Sequence, residues 1–414
     1  MGGGRRSVQK TFSIERFRLT WRGDRRSALD RLWAFRDLSP AAIIEGAMGF
    51  FDPRVLGAVP GGLRRERMES SPRYRDGRFH NTEPLKSLTS QQPLGKRLAM
   101  VGEFFFGGAG REPPAPLPVV SPRAAWAHEA ETGLRATWLG HSTVLLEIDG
   151  VRVLTDPVWG ERVSPVGWAG PRRFHPVPVG LGELPRLDAV LVSHDHYDHL
   201  DYPTIRELAR RDVPFFTSLG VGAHLEAWGV RPSNIVELDW WEEAVLPGGR
   251  LSFTATPSRH FSGRGNGSNR TAWSSWALRT ARHRVFFSGD TGLTREFETV
   301  GERCGPFDLV MLEVGAHHPA WGQIHLGPDN ALVAHRMLGG GTLLPVHWGT
   351  FDLGLHPWDE PAEILLKRAA EMGAHLVMPR LGAAFEPSRV EGVEPWWRDG
   401  VRSAAVARVA LPER

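Results

Sequence analysis

The rhythm of apolar and polar positions changes at Leu134. Upstream, SALDRLWAFRDL (27–38) and AAIIEGAMGFFD (41–52) carry apolar residues at helical spacing and predict helices. VPGGLRRERMESSPRYRDGRFHNTEPL (59–85), rich in Gly, Pro and Arg, predicts extended loops, and REPPAPLPVVSPRAAW (111–126) a linker or wrapped arm. Downstream, short apolar runs alternate with turns. LRATWLGHSTVLLEIDGVRVLTDPVW (134–159) predicts two or three strands with a turn at Asp149-Gly150. Further strands are expected in LDAVLVS (187–193), RLSFTATPSRH (250–260), TAWSSWALRT (271–280), HRVFFSGDTG (283–292), FDLVMLEVG (307–315) and GTLLPVHWGT (341–350). Helices are expected in YPTIRELARR (202–211), PDNALVAHRML (328–338) and PAEILLKRAAEMG (361–373). Strands with interspersed helices predict an α/β layered domain. The chain divides at the linker into an arginine-rich extension, 1–125, and a main domain, 126–414.

Charge sharpens that division. The net charge is only +3, yet residues 1–80 hold 17 Arg and Lys against 9 Asp and Glu. Such a front favours phosphate or an anionic membrane surface, or is simply a solvated face. No apolar run reaches transmembrane length, and GGGRRSVQKTF lacks the apolar stretch of an export signal. A cytoplasmic protein, peripheral at most to a membrane, is expected. The single cysteine, Cys304, excludes an intrachain disulfide and a cysteine-rich zinc module. Any metal site is therefore built from His, Asp and Glu.

VSHDHYDHLD (192–201) is the sharpest chemical signal. It places His194, His196, Asp198 and His199 directly after a buried strand. Other expected strands run into His260, Asp290 and His347. Strand ends along one sheet edge can converge in space while far apart in sequence. Five imidazoles and two carboxylates suffice for two zinc-type ions. Histidines at i and i+2 grip one ion from a tight loop, Asp198 and His199 point to a second, and a carboxylate such as Asp290 can bridge both. The alternative for Asp290 is a turn aspartate in SGDTG.

The HxHxDH loop resembles the metallo-β-lactamase superfamily. TWLGHSTVLLEIDG, LTDPVW, SPVGWAGPRRF, ELPRLDAVLVSHDHYDHLDY, IVELDWWEE, FFSGDTG, GPFDL and HWGTF together resemble its N-acylphosphatidylethanolamine-hydrolysing phospholipase D branch, in order across 134–360. The resemblance implies a four-layer αββα sandwich following an N-terminal extension, with two Zn2+ in the cleft. It places His194, His196 and His260 on one ion, Asp198, His199 and His347 on the other, and Asp290 between them. His141 in LGHST and Asp156 in LTDP become ligand-orienting candidates, against a strand-end histidine and a turn aspartate before Pro157. Where the family reads GAYEPRW, this chain reads Gly315-Ala316-His317-His318-Pro319-Ala320-Trp321. His317 and His318 therefore border the cleft in place of Tyr and Glu. His325 matches a family histidine near the site and is expected to contact substrate phosphate or assist proton transfer, against the alternative of a structural role.

The implied reaction is hydrolysis of a phosphodiester by a zinc-bridging hydroxide, converting N-acylphosphatidylethanolamine to N-acylethanolamine and phosphatidic acid. Asp198, Asp290 and His325 would be catalytic, and His317, His318 and His325 would contact substrate. The resemblance also implies a homodimer and peripheral membrane contact. The Phe104–Phe106 run, AMGFFD and some of the 16 Trp could supply a greasy entrance, with most of the Trp expected in core or loop packing. The alternatives are a lactonase or soluble phosphodiesterase on the same scaffold, or a zinc-holding, envelope-associated binding protein. No basic, aromatic-interleaved strip in the main domain calls for nucleic acid.

Overall fold

The computed structural model of the protein describes residues 52–85, 95, 110–265, 267–318 and 323–399. The helices expected over 27–51, the Phe104–Phe106 run, Ala320 and Trp321 lie outside these residues.

The apolar runs become two seven-stranded sheets. The first holds β1 (Leu134–Gly140), β2 (Thr143–Ile148), β3 (Val151–Thr155), β4 (Ala189–Val192), β5 (Phe215–Ser218) and β6 (Ile235–Leu238). The second holds β7 (Glu243–Val245), β8 (Ser252–Thr256), β9 (Ser275–Arg279), β10 (Arg284–Phe287), β11 (Leu309–Glu313), β12 (Thr342–Val346) and β13 (His375–Leu376). Strand β14 (Ala384–Phe385) returns to the first sheet beside β1. The spatial orders are β14-β1-β2-β3-β4-β5-β6 and β13-β12-β11-β10-β9-β8-β7. Each sheet makes antiparallel pairings on one side (β14 to β3; β7 to β10) and parallel ones on the other (β3 to β6; β10 to β13).

Parallel neighbours need crossovers, and helices supply most of them. The helices are α1 (Gly62–Glu69), α2 (Arg123–Trp126), α3 (Tyr202–Leu208), α4 (Gly222–Ala227), α5 (Glu296–Cys304), α6 (Gly327–Met337) and α7 (Glu360–Arg368). Helices α3 and α4 follow β4 and β5, while α5, α6 and α7 follow β10, β11 and β12.

Both faces of the sheets are covered, which is why their strands read as nearly continuous apolar runs. Along β2, Val144, Leu146 and Ile148 enter the cluster shared by the two sheets. Leu145 points the other way, into a cluster with Ile205 and Leu208 of α3 and Leu225 of α4. Phe216 of β5 stacks on Phe253 of β8, with ring centroids 3.9 Å apart, joining sheet to sheet. On the far side Phe286 of β10 meets Phe297 of α5 edge-on at 6.2 Å. The result is the four-layer αββα sandwich. Asp149 and Gly150, with φ of 47° and 77°, form the two-residue turn expected between β2 and β3.

Residues 59–85 depart from the extended loops expected of them. They form α1 and a hairpin that pairs Tyr74–Arg75 with Arg78–Phe79 across Asp76-Gly77. The cause is tertiary. Arg64 Nε donates to Glu237 (2.5 Å), Arg67 Nη2 to Glu242 (2.5 Å), and the Arg73 guanidinium to Asp239. All three carboxylates belong to the IVELDWWEE segment, so arginines of the basic front are matched by that segment's acids. Arg73 is sandwiched as well, 3.7 Å over the Trp240 ring and 5.4 Å from that of Phe79.

Asp239→Ala would leave the Arg73 guanidinium, whose side chain is only 9% exposed, without its anion. Removing one partner of a buried pair costs about 3–5 kcal/mol. Urea unfolding should show a loss of that order, and an unchanged midpoint would refute this account of the arm.

Candidate metal centre

Asp156 follows β3, His194 to His199 follow β4, His260 follows β8, Asp290 follows β10 and His347 follows β12. These exits lie at the C-terminal ends of their strands, and the sandwich brings them together. His141 enters from the β1–β2 turn, and the His347 amide donates to its carbonyl oxygen across the two sheets (3.0 Å). Gly315, just past β11, lies so close to the His347 carbonyl that a Cβ there would stand 2.0 Å from its oxygen. Eight non-glycine residues have positive φ among the described residues, and His141, Asp156, Ala316 and His347 are four of them. Backbone strain is thus concentrated around this cleft.

Two donor sets result. In the first, His194 Nε2 lies 2.8 Å and His260 Nε2 3.3 Å from His196 Nδ1. Asp290 Oδ2 stands 3.7 Å from His194 Nε2 and 3.6 Å from His260 Nε2. In the second, Asp198 Oδ2 stands 3.4 Å from His199 Nε2 and 3.3 Å from His347 Nε2. Asp290 Oδ1 lies 3.1 and 3.2 Å from the same two nitrogens. One carboxylate therefore offers an oxygen to each set.

A divalent cation fits this arrangement. Ligand bonds of roughly 2.0–2.1 Å in a tetrahedron put donors about 3.3 Å apart, which the observed spacings bracket. Asp290 Oδ1, His199 Nε2 and His347 Nε2 are buried and make no hydrogen bond despite their proximity. These three unpartnered atoms crowd together, and a bound cation would satisfy all three once the imidazoles give up their protons.

The surrounding bonds orient the donors. Asp156 Oδ2 accepts from His199 Nδ1 (2.6 Å) and from the Ser193 hydroxyl (2.6 Å), while its Oδ1 accepts the Ser193 amide (2.7 Å). Ser193 Oγ also meets His194 Nδ1 (2.9 Å). His260 Nδ1 donates to the Ile324 carbonyl (2.8 Å), which turns Nε2 toward the cleft. His141 Nε2 bonds Asp198 Oδ2 at 2.9 Å. Burial, aided by His347, holds His141 neutral with a pKa of about 3.

Electrostatics separates the two sets. Burial and neighbouring imidazoles push His194, His196 and His260 down, so these nitrogens are unprotonated at neutral pH. Burial also works against charging His199 and His347, yet the adjacent carboxylates outweigh it. His199 is raised well above the ordinary histidine range, and His347 reaches about 10. Burial opposes ionisation of Asp198 and Asp290 too, but imidazoles around them hold both well below the usual carboxylate range.

Of the remaining expected residues, His325 joins the cluster. A ring nitrogen of His325 lies within 4.8 Å of donor atoms of Asp290 and His347. His317 does not join a donor set; its ring stacks on His356 with centroids 4.5 Å apart. His318 is half-buried beside it and is likewise in no donor set among the described residues. Sequence reasoning missed Glu313, the fully buried last residue of β11. Its Oε1 accepts from His325 Nδ1 (3.1 Å) and from the Leu326 amide (2.9 Å). The available signal was a lone acid closing an apolar run.

A family model described as a beta-lactamase superfamily domain matches residues 151–348. An uncharacterized protein of Mycobacterium tuberculosis is 45% identical over 350 residues, which cover 84% of this chain and 92% of that one. N-acyl-phosphatidylethanolamine-hydrolyzing phospholipase D 1 of Caenorhabditis elegans is 36% identical over 275 residues, covering 63% of this chain and 77% of that enzyme. The chain belongs to the metallo-β-lactamase superfamily. Its branch is that of the N-acylphosphatidylethanolamine-hydrolysing phospholipases D. The fold agrees with a solved structure of isothiocyanate hydrolase from Delia radicum gut bacteria (TM-score 0.50, 22% identity, 61% of this chain and 98% of that one). A hydrolase of this superfamily carries divalent metal, and the two donor sets are the candidate places for it. Among the described residues, no helix is long and apolar enough to cross a membrane.

A donor must be unprotonated to bind a cation. At pH 7.5 the second set must therefore lose protons on loading, because His347 is held at about 10 and His199 is raised well above the ordinary histidine range, whereas the lowered histidines of the first set have none to lose. Affinity at the second set should rise with pH, about tenfold per unit for each proton released. Calorimetry at pH 7.5 in buffers of differing ionisation enthalpy should resolve one proton-releasing event and one without release. Two events without release would contradict this electrostatic picture.

Proposed function

We propose that this chain is a two-zinc phosphodiesterase of the phospholipase D type. Its substrate is N-acylated phosphatidylethanolamine, and its products are N-acylethanolamine and phosphatidic acid. The observation that carries the reading is Asp290, whose two oxygens face two separate histidine sets. The similarity to the C. elegans enzyme supports the lipid substrate.

Water adds its oxygen to phosphorus, the bond from phosphorus to the head-group oxygen breaks, and that oxygen takes up a proton. His194, His196, His260, Asp198, His199, His347 and Asp290 would hold the metal, which when bound would supply Lewis acidity to acidify water and offset charge growing on the phosphoryl oxygens. The chain's own residues do the positioning. Asp198 and Asp290 keep the floor of the cleft anionic, and Asp156 and His141 fix the aim of His199 and Asp198. Glu313 engages His325 through Nδ1, so Nε2 is the nitrogen left for substrate. There it contacts the phosphate and hands a proton to the departing oxygen. His317 and His318, with their altered chemistry, line the approach and set substrate preference.

The deciding measurement is product analysis after mixing zinc-loaded protein with N-acylphosphatidylethanolamine vesicles. Wild type should release N-acylethanolamine and phosphatidic acid, and Asp290→Asn should release neither. His325→Gln should keep its zinc and lose about 10²–10⁴-fold in turnover, the usual range for a proton-transfer residue. Normal turnover by zinc-replete Asp290→Asn would sink the scheme. Intact lipid with wild type would move the substrate to soluble phosphodiesters or lactones.

A further inference from the structure

We propose that Asn81, in the arm ahead of the sandwich, is a positioning residue for His260 and so for the donor set of His194, His196, His260 and Asp290. His260 lies four residues past the end of β8, with no strand among the described residues to take its backbone groups. A single side chain takes both. The His260 amide donates to Asn81 Oδ1 (3.1 Å), and Asn81 Nδ2 donates to the His260 carbonyl (2.8 Å). The carboxamide thus stands in for a neighbouring strand, and this complementarity fixes which end is oxygen. Trp273 Nε1 also donates to Oδ1 (3.2 Å). With the ring held at Nδ1 by the Ile324 carbonyl, main chain and side chain of this fully buried histidine are both set from outside β8.

Asn81 is itself held firmly. Phe79, two residues earlier, is fully buried with Met68, Leu219, Ala272 and Trp273, and its amide donates to the Asn269 carbonyl (2.8 Å). Arg73, on the opposite side of the same hairpin, locks onto Asp239 and Trp240. Nearby, Arg259 Nη2 donates to the Pro84 carbonyl (3.1 Å), so the arm also grips the residue before His260. The arm thereby reaches the metal centre through one amide.

The proposal rests on the metal-centre reading, and its test reads metal uptake, not turnover. Metal-free, full-length wild type, Asn81→Ala and Asn81→Asp are titrated with Co(II), followed by visible absorption and competition with Zn(II). Asn81→Asp keeps the acceptor for the His260 amide and Trp273 but loses the donor to the His260 carbonyl. Tyr202→Phe serves as the control, because it cuts another tie of the arm (Tyr202 hydroxyl to Asp52 Oδ2, 3.1 Å) without touching His260. Expected are two binding phases in wild type and in Tyr202→Phe. In both Asn81 variants one phase should weaken by about 10–100-fold, the usual effect of losing a ligand-orienting partner, while the other holds. Thermal melting of the metal-free proteins confirms that each variant folds. Two unaltered phases in both Asn81 variants, or equal weakening of both, would overturn the proposal. A wild type that takes up no metal would overturn the underlying reading of the site, and the proposal with it.

Discussion

Two buried carboxylates lie at the centre of this molecule. Asp198 and Asp290 are held ionised in a cleft closed off by two sheets, chiefly by the imidazoles around them. An ion buried in low dielectric is tolerable only with compensating charge. Imidazole can supply that charge as protons on His199 and His347, or it can yield its nitrogens to metal. The sandwich makes this competition unavoidable by driving several strand ends from both sheets to one place. Left-handed backbone at His141, Asp156, Ala316 and His347 shows the local strain of that convergence.

Much of this was legible in the sequence because its chemistry is compressed. Four donors in VSHDHYDHLD, and single donors at the ends of apolar runs, required only the recognition that strand ends converge. The central strands were equally plain, because both of their faces are buried. What escaped were features that depend on distant partners and several short elements, among them β5, β6, α4 and α5. Helix α1 was hidden by its Gly, Pro and Arg content. Its arginines are held by Glu237 and Glu242, more than 170 positions away, and no local window contains those acids. Glu313 passed as an ordinary strand terminus until its three-dimensional neighbours Leu326 and His325 gave it a role. Helix α4, Gly222–Ala227, is too short to show a period.

The arm changes the meaning of the part of the basic N-terminal charge that lies within the described residues. Read as composition, arginines in this stretch suggest attraction to phosphate or to a membrane. In the fold, Arg64, Arg67 and Arg73 are bound to the chain's own acids, and Arg54 and Arg65 pair with Asp52 and Glu69. Net charge describes what a chain shows to distant ions only after such internal matching is subtracted.

The match between the arm and the IVELDWWEE segment also bears on how this architecture can be recombined. The arginines of residues 64–73 and the acids of residues 237–242 form one electrostatic unit, written in two places on the gene and split by the whole first metal loop. A chimera that joins the front of one relative to the sandwich of another inherits half of that unit from each parent. Its fate is decided by whether three guanidinium groups still find three carboxylates, a compatibility that overall percentage identity does not measure. Segment exchange in this branch therefore has a natural grain: the front and the sixth strand's exit travel together, or both must be rebuilt.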